Sequence, residues 1–129
     1  MKLLLDTSAY VGLRASVPAV TKRISLSDVV LVSPIVLGEL MYGFRKGSKF
    51  EQNMEVLERF LQHDAVELVP LGKVTADRYS RIVLQLRKAG RPIPANDIWI
   101  AAQALEHGAE LLSADRHFEN IDGLVCTLF

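Results

Sequence analysis

Lys2-Leu3-Leu4-Leu5-Asp6-Thr7-Ser8 decides how this chain folds. Its three consecutive leucines are apolar in both directions, as a strand inside a parallel sheet must be. Asp6, Thr7 and Ser8 follow at once, and each can turn a side-chain oxygen onto a free backbone N–H where a helix starts. The same order returns at Val29-Val30-Leu31-Val32-Ser33-Pro34, with Ser33 as cap and Pro34 at the first helical position. It returns again at Glu110-Leu111-Leu112, followed by Ser113-Ala114-Asp115. Strand, polar turn and helix in repetition give a parallel sheet covered by helices on both faces.

Working outward, a short helix is expected over Pro18 to Ile24, and the helix begun at Pro34 should stop at Gly47. Ser48-Lys49-Phe50-Glu51 has the spacing of a capping box, ahead of a helix whose stripe is Phe50, Met54, Leu57 and Leu61. A long helix from Lys73 to Ala89 turns Tyr79, Ile82, Val83 and Leu86 inward, and Asp97 to His107 forms an alanine-rich helix ending at Gly108. Val66 to Val69 and Leu124 to Cys126 complete five strands. Only three residues then follow the last strand, so no tail is expected. Residues 1–129 read as one domain, long enough to bury roughly two-thirds of its unfolded surface, without repeat, linker or low-complexity tract.

Composition excludes several classes. Half the residues are hydrophobic and 23% are charged, which rules out a disordered or fibrous chain. No apolar run approaches the roughly 18 residues of a membrane span, and the start at Leu3 is cut short by Asp6 without a signal-peptide body. The one cysteine, Cys126, has no internal partner and reads as an inert thiol in a cytoplasmic protein. Fifteen basic and fifteen acidic residues cancel, which argues against a broad nucleic-acid surface. If some acids hold a metal, the bases are in surplus, and Arg45, Lys46 and Lys49 or Arg87, Lys88 and Arg91 can form a local basic rim.

Four acids stand out by position. Asp6 and Asp115 follow strands, Asp97 opens a helix, and Glu39 lies too far into its own helix to cap it. The carboxyl ends of parallel strands are where ligands bind in such sheets. Each acid also has an ordinary explanation: Asp6 and Asp97 as caps, Asp115 as a turn residue, Glu39 as a surface acid. Four carboxylates at one sheet edge would repel and raise one another's pKa unless a cation neutralised them. Oxygen-only ligands suit Mg²⁺ or Mn²⁺. Zinc is disfavoured, since His63, His107 and His117 are far apart in sequence and no His or Cys pair has ligand spacing. Thr7, Ser8, Asn96 and Ser113 flank three of the acids and can orient them, and Arg91 and Arg116 are candidates to meet a substrate phosphate. No nucleophile elbow, phosphate loop or dinucleotide fingerprint is present.

Four blocks of sequence resemble the PIN-domain nucleases, and in particular the VapC-type toxins of prokaryotic toxin–antitoxin pairs. They are Leu4-Leu5-Asp6-Thr7-Ser8, Ser33-Pro34-Ile35-Val36-Leu37-Gly38-Glu39-Leu40, Pro94-Ala95-Asn96-Asp97-Ile98-Trp99-Ile100-Ala101-Ala102 and Leu112-Ser113-Ala114-Asp115-Arg116-His117-Phe118. Each block is weakly specific alone, but they occur in the family's order over almost the whole chain. Ser113 stands where the family often has Thr, and keeps the hydroxyl. The resemblance implies a three-layer α/β/α fold with a parallel five-stranded sheet and Mg²⁺- or Mn²⁺-dependent RNA cleavage. It also implies a homodimer and a cognate antitoxin that blocks the acidic pocket.

The expected activity is therefore that of an endoribonuclease whose Asp6, Glu39, Asp97 and Asp115 hold one or two ions that activate water. Single-stranded or looped RNA is the expected substrate, because a flexible strand can bring a phosphate to a recessed site. Two alternatives remain open from sequence. One is a PIN nuclease of RNA processing or decay without an antitoxin, which the tail-free chain disfavours. The other is a catalytically silent binding module, which the presence of all four acids disfavours.

Overall fold

A computed structural model describes residues 1–129. In chain order its elements are β1 (Lys2–Leu5), α1 (Thr7–Arg14), α2 (Pro18–Ser25), β2 (Val29–Val32), α3 (Pro34–Lys46) and α4 (Phe50–Leu61). They continue with β3 (Val66–Leu68), α5 (Lys73–Lys88), α6 (Ala95–His107), β4 (Glu110–Ser113), a 3₁₀ turn over Arg116–Asn120, and β5 (Cys126–Leu128). The five strands form one sheet in the order β3-β2-β1-β4-β5. Every neighbouring pair is parallel, with Leu4 opposite both Leu31 and Leu111. The Leu3-Leu4-Leu5 run is thus the centre of the sheet, and all three side chains are buried.

Strand alternation divides those leucines between two cores. Leu4, Leu31 and Leu111 face a cluster with Leu40 of α3, Leu57 of α4, Ile82 and Leu86 of α5, and the apolar residues of α6. Leu3, Leu5, Val30 and Leu112 face the opposite way, onto Ala9 of α1 and Val20 of α2. Ala101, Ala102 and Ala104 are fully buried, and their small side chains let α6 come close to its neighbours.

Two expectations need correction. The last strand is Cys126–Leu128, not Leu124 to Cys126. Its register follows β4, with Leu111, Leu112 and Ser113 pairing with Cys126, Thr127 and Leu128. Gly123, in the left-handed region at φ 77°, turns the chain just ahead of it, and Val125 lies mostly in solvent. Apolar character alone therefore misplaced the strand by two residues. The Ser48 to Glu51 capping box is also absent: Lys49 is the N-cap of α4 and no side chain caps it. The α3–α4 corner is closed instead by the Arg45 guanidinium, 4.1 Å from the centroid of the Phe50 ring.

Gly12 shows how tightly α1 is seated. A Cβ built there would lie 3.0 Å from Val20 Cγ2 and 3.3 Å from Phe129 Cε2. Alanine normally gains about 1 kcal/mol over glycine inside a helix. Here the overpacking cost of about 1–3 kcal/mol outweighs that gain. Gly12→Ala is expected to lower stability by about 1 kcal/mol in chemical denaturation; a stabilised variant would show that α1 is loosely packed.

Candidate functional site

The acids converge at the carboxyl ends of β1 and β4. Asp6 is the N-cap of α1, and its Oδ1 accepts from the Ala9 N–H at 2.9 Å and from Ser8 Oγ at 2.6 Å. Its Oδ2 accepts from Ser113 Oγ, at the end of β4. Those two hydroxyls also accept: Ala114 N–H donates to Ser8 Oγ at 2.9 Å, and Asp115 N–H to Ser113 Oγ at 2.9 Å. The turn after β1 and the turn after β4 are thereby stitched together through one carboxylate. Capping and site-building are the same act at Asp6.

Glu39 is half-buried on α3. Its Oε1 accepts from Thr7 Oγ1 at 2.6 Å, and Asn96 Nδ2 approaches its other oxygen at 3.5 Å. It is therefore drawn between the starts of α1 and α6, where its charge reaches Asp97. Asp97 does not cap its helix; α6 begins at Ala95, which puts Asp97 in the first turn, where its side chain makes no capping bond. Asp115 precedes the 3₁₀ turn, and its Oδ1 accepts from the His117 N–H at 2.9 Å.

His117 completes the group, and sequence reading passed over it. Its Nδ1 lies 3.1 Å from Asp97 Oδ2 and 3.1 Å from Asp115 Oδ2. A ring nitrogen facing two carboxylate oxygens must carry its proton to bond either of them. One ligand atom from each of Asp97, Asp115 and His117 falls within 4.8 Å of the others. Twenty residues separate His117 from Asp97, so only the two-residue step from Asp115 hinted at it.

No lysine or arginine pairs with any of the four acids; the arginines bond Glu110, Glu55, Asp77 and Glu119 instead. Arg91 donates to Asn120 Oδ1 at 3.2 Å, and Arg116, 82% exposed, pairs with Glu119, so neither touches the acids. Burial raises the Asp6 pKa above the usual carboxylate range, three hydrogen bonds oppose this, and the Asp115 charge adds to it. Asp97 is raised likewise, by burial first, with the Asp115 and Glu39 charges adding and His117 opposing. The carboxylates thus feel one another with no lysine or arginine between them. A donor set of clustered, partly buried carboxylates with an adjacent imidazole fits a divalent cation. Cys126 takes no part: burial and the surrounding acids push its thiol up to about 11, which keeps it protonated and unreactive.

Residues 3–124 match the PIN domain family model. Ribonuclease VapC1 of Rickettsia felis is 32% identical over 127 residues, covering 96% of this chain and 93% of its own. The tRNA(fMet)-specific endonuclease VapC of Shigella flexneri is 29% identical, covering 96% and 95%. Among solved structures, VapBC2 from Rickettsia felis bound to a DNA fragment from their promoter superposes with a TM-score of 0.88 at 27% identity, over 100% and 99% of the two chains.

The raised acids set the pH response of the metal-free protein. A native carboxyl pKa above the unfolded value, about 3.9, means that the fold holds the proton more tightly. That contribution to stability is whole below the unfolded value and is lost as the pH climbs through the raised native ones. Asp6→Asn removes one such loss and keeps acceptors for Ser8 and Ala9. In chelator, the melting temperature of Asp6→Asn relative to wild type is expected to rise as the pH climbs above about 4. A difference that falls with pH would mean that the Asp6 charge stabilises the apoprotein.

Proposed function

The chain belongs to the PIN-domain family, and on that premise we propose that it is a divalent-metal-dependent endoribonuclease, the toxin of a toxin–antitoxin pair. Residues 1–129 act as one PIN-like domain. The observation that carries this reading is the absence of any lysine or arginine among four converging carboxylates held only by hydroxyl, amide and imidazole groups. Similarity to VapC ribonucleases over nearly the full chain supports RNA as the substrate. Similarity to a VapBC assembly supports a cognate antitoxin as partner. No helix is long and apolar enough to cross a membrane, which is compatible with action in the cytoplasm.

Asp6, Glu39, Asp97 and Asp115 would hold Mg²⁺ or Mn²⁺, and His117 would add a nitrogen, which favours Mn²⁺, once Nδ1 gives up the proton it directs at Asp97 and Asp115. When bound, such an ion supplies Lewis acidity toward a phosphoryl oxygen and lowers the pKa of coordinated water. Ser8 and Ser113 fix the Asp6 carboxylate, while Thr7 and Asn96 fix Glu39, so neither acid must reorganise as charge develops. Asp97 has a carboxyl raised by burial and is less enclosed than Asp6. On this reading it takes the proton from an attacking water as that oxygen bonds to phosphorus, and the ribose oxygen whose bond to phosphorus breaks takes a proton from solvent water.

Mn²⁺ titration calorimetry and RNA cleavage on wild type, Asp6→Asn, Asp97→Asn and Asp115→Asn test the assignment. Each variant is expected to lose cleavage on the order of 100-fold, and His117→Ala to bind Mn²⁺ about tenfold more weakly. At one hundred times its Kd the ion should add about 2.7 kcal/mol to wild-type stability. Cleavage that persists in chelator, or variants with full activity, would remove the mechanism. Expression in a bacterial host should arrest growth, and an adjacent antitoxin frame should relieve the arrest. Arrest that Asp97→Asn still produces would deny that cleavage is its cause.

A further inference from the structure

Beside Glu39 a groove of about 660 Å³ runs along the outer face of α3, with Asn96 on its opposite lip. Gly38, Tyr42, Gly43 and Lys46 line it, and nothing in the reaction described above uses them. Tyr42 is 64% exposed, although an aromatic ring of that size is one of the larger apolar surfaces a chain can bury. The Lys46 ammonium lies 4.9 Å from its ring centroid, which steadies the ring and leaves the rest of it open to water.

The two glycines are not explained from within. Neither has a left-handed backbone, and a Cβ added at either would meet no atom within 4 Å. Gly12, by contrast, is crowded by Val20 and Phe129. Mid-helix glycine lowers helix stability relative to alanine, so α3 keeps a low floor here at a cost that its own packing does not require. The groove is open to a molecule outside the chain.

Its charge order names the class. Moving along α3 from Glu39, the axial rise sets the Tyr42 backbone about 4.5 Å and the Lys46 backbone about 10.5 Å further on, and the Lys46 ammonium reaches back to 4.9 Å from the Tyr42 ring. Arg45 and Lys49 add positive charge at the same end of the helix. An acidic centre, an exposed ring and then a cationic end match a scissile phosphate, its neighbouring base and the next phosphate of a single strand. We infer that Tyr42 and Lys46 form a nucleotide subsite, in which Tyr42 stacks the base beside the scissile bond and Lys46 takes the following phosphate. The inference rests on the ribonuclease reading and makes Tyr42 a positioning residue that sets where the strand is cut.

The test uses the full chain and a fluorescein-labelled single-stranded RNA oligonucleotide of random sequence. In an Asp97→Asn background, which holds RNA uncut, Tyr42→Ala should weaken binding about tenfold, and Tyr42→Phe should restore most of it. Lys46→Ala should lower the slope of log affinity against log salt by about 0.7. With Asp97 intact, Tyr42→Ala should raise KM while kcat holds, and should blur the cut-site pattern on total RNA. Gly43→Leu should raise KM without lowering the melting temperature, because it fills the groove without touching the core. Mn²⁺ affinity of Tyr42→Ala must equal that of wild type, which separates a failed subsite from a damaged acidic centre. Unchanged RNA affinity in Tyr42→Ala overturns the proposal, and unchanged affinity together with a shift from dimer to monomer in sedimentation assigns the face to a second copy of the chain. Wild-type protein that neither binds nor cuts RNA in Mn²⁺ overturns the nuclease reading and the subsite with it.

Discussion

The Asp6 carboxylate is the constraint around which the rest is arranged. It sits at the end of the central strand, 6% exposed, where ionisation is penalised by burial and by the neighbouring Asp115 charge. Three donors from two places in the chain converge on it: the Ala9 N–H and the Ser8 hydroxyl at the start of α1, and the Ser113 hydroxyl at the end of β4. Because Ser8 and Ser113 also receive the backbone N–H groups of Ala114 and Asp115, the position of Asp115 depends on the carboxylate that it repels. The β1–β4 pairing beneath, with Leu5 opposite Leu112, supplies the rigidity that such an arrangement needs.

The fold was legible because its grammar is local. Leu3 to Leu5 and Val29 to Val32 can be buried on both faces, and Ser33-Pro34 can do little other than start a helix. Glu39 was legible for the opposite reason, since no local duty explains an acid at that point in α3. His117 was not, because its partner Asp97 belongs to another helix and only the tertiary fold brings them to 3.1 Å. Ser48 and Glu51 failed as a capping box although the spacing was correct, since Lys49 takes the cap position and Phe50 is held under Arg45. Strand β5 was misplaced because its bounds are set by pairing with β4, a long-range fact. The orienting roles of Thr7, Ser8, Asn96 and Ser113 could be suspected from adjacency, but which acid each one serves required coordinates.

Helix α3 illustrates how a site displaces stability. Its inner face contributes Val36 and Leu40 to the core, and its cap at Ser33 is satisfied, with the Ile35 N–H donating to Ser33 Oγ at 3.1 Å. Its outer face carries two exposed glycines and an exposed tyrosine, none of which helps the helix. Local propensity and global fold agree on the inner face and disagree on the outer one, and such disagreement gathers where a protein meets its ligand.

The two ends of the sheet make the same argument with charge. At the amino ends of the strands Glu110 is 10% exposed and fully partnered: Arg23 Nε donates at 2.8 Å and Thr127 Oγ1 at 2.6 Å. There a buried carboxylate is given a guanidinium, which ties α2 to the sheet and closes the site to anything else. At the carboxyl ends four acids receive hydroxyls, amides and one imidazole, and no guanidinium or ammonium. Arginines are available nearby, since Arg116 directly follows Asp115, yet its side chain turns to Glu119. The chain gives one acid at the amino ends a guanidinium and leaves the four at the carboxyl ends to share a single imidazole. The acids at the two sheet ends are chemically alike, and they differ in the partners that the fold gives them.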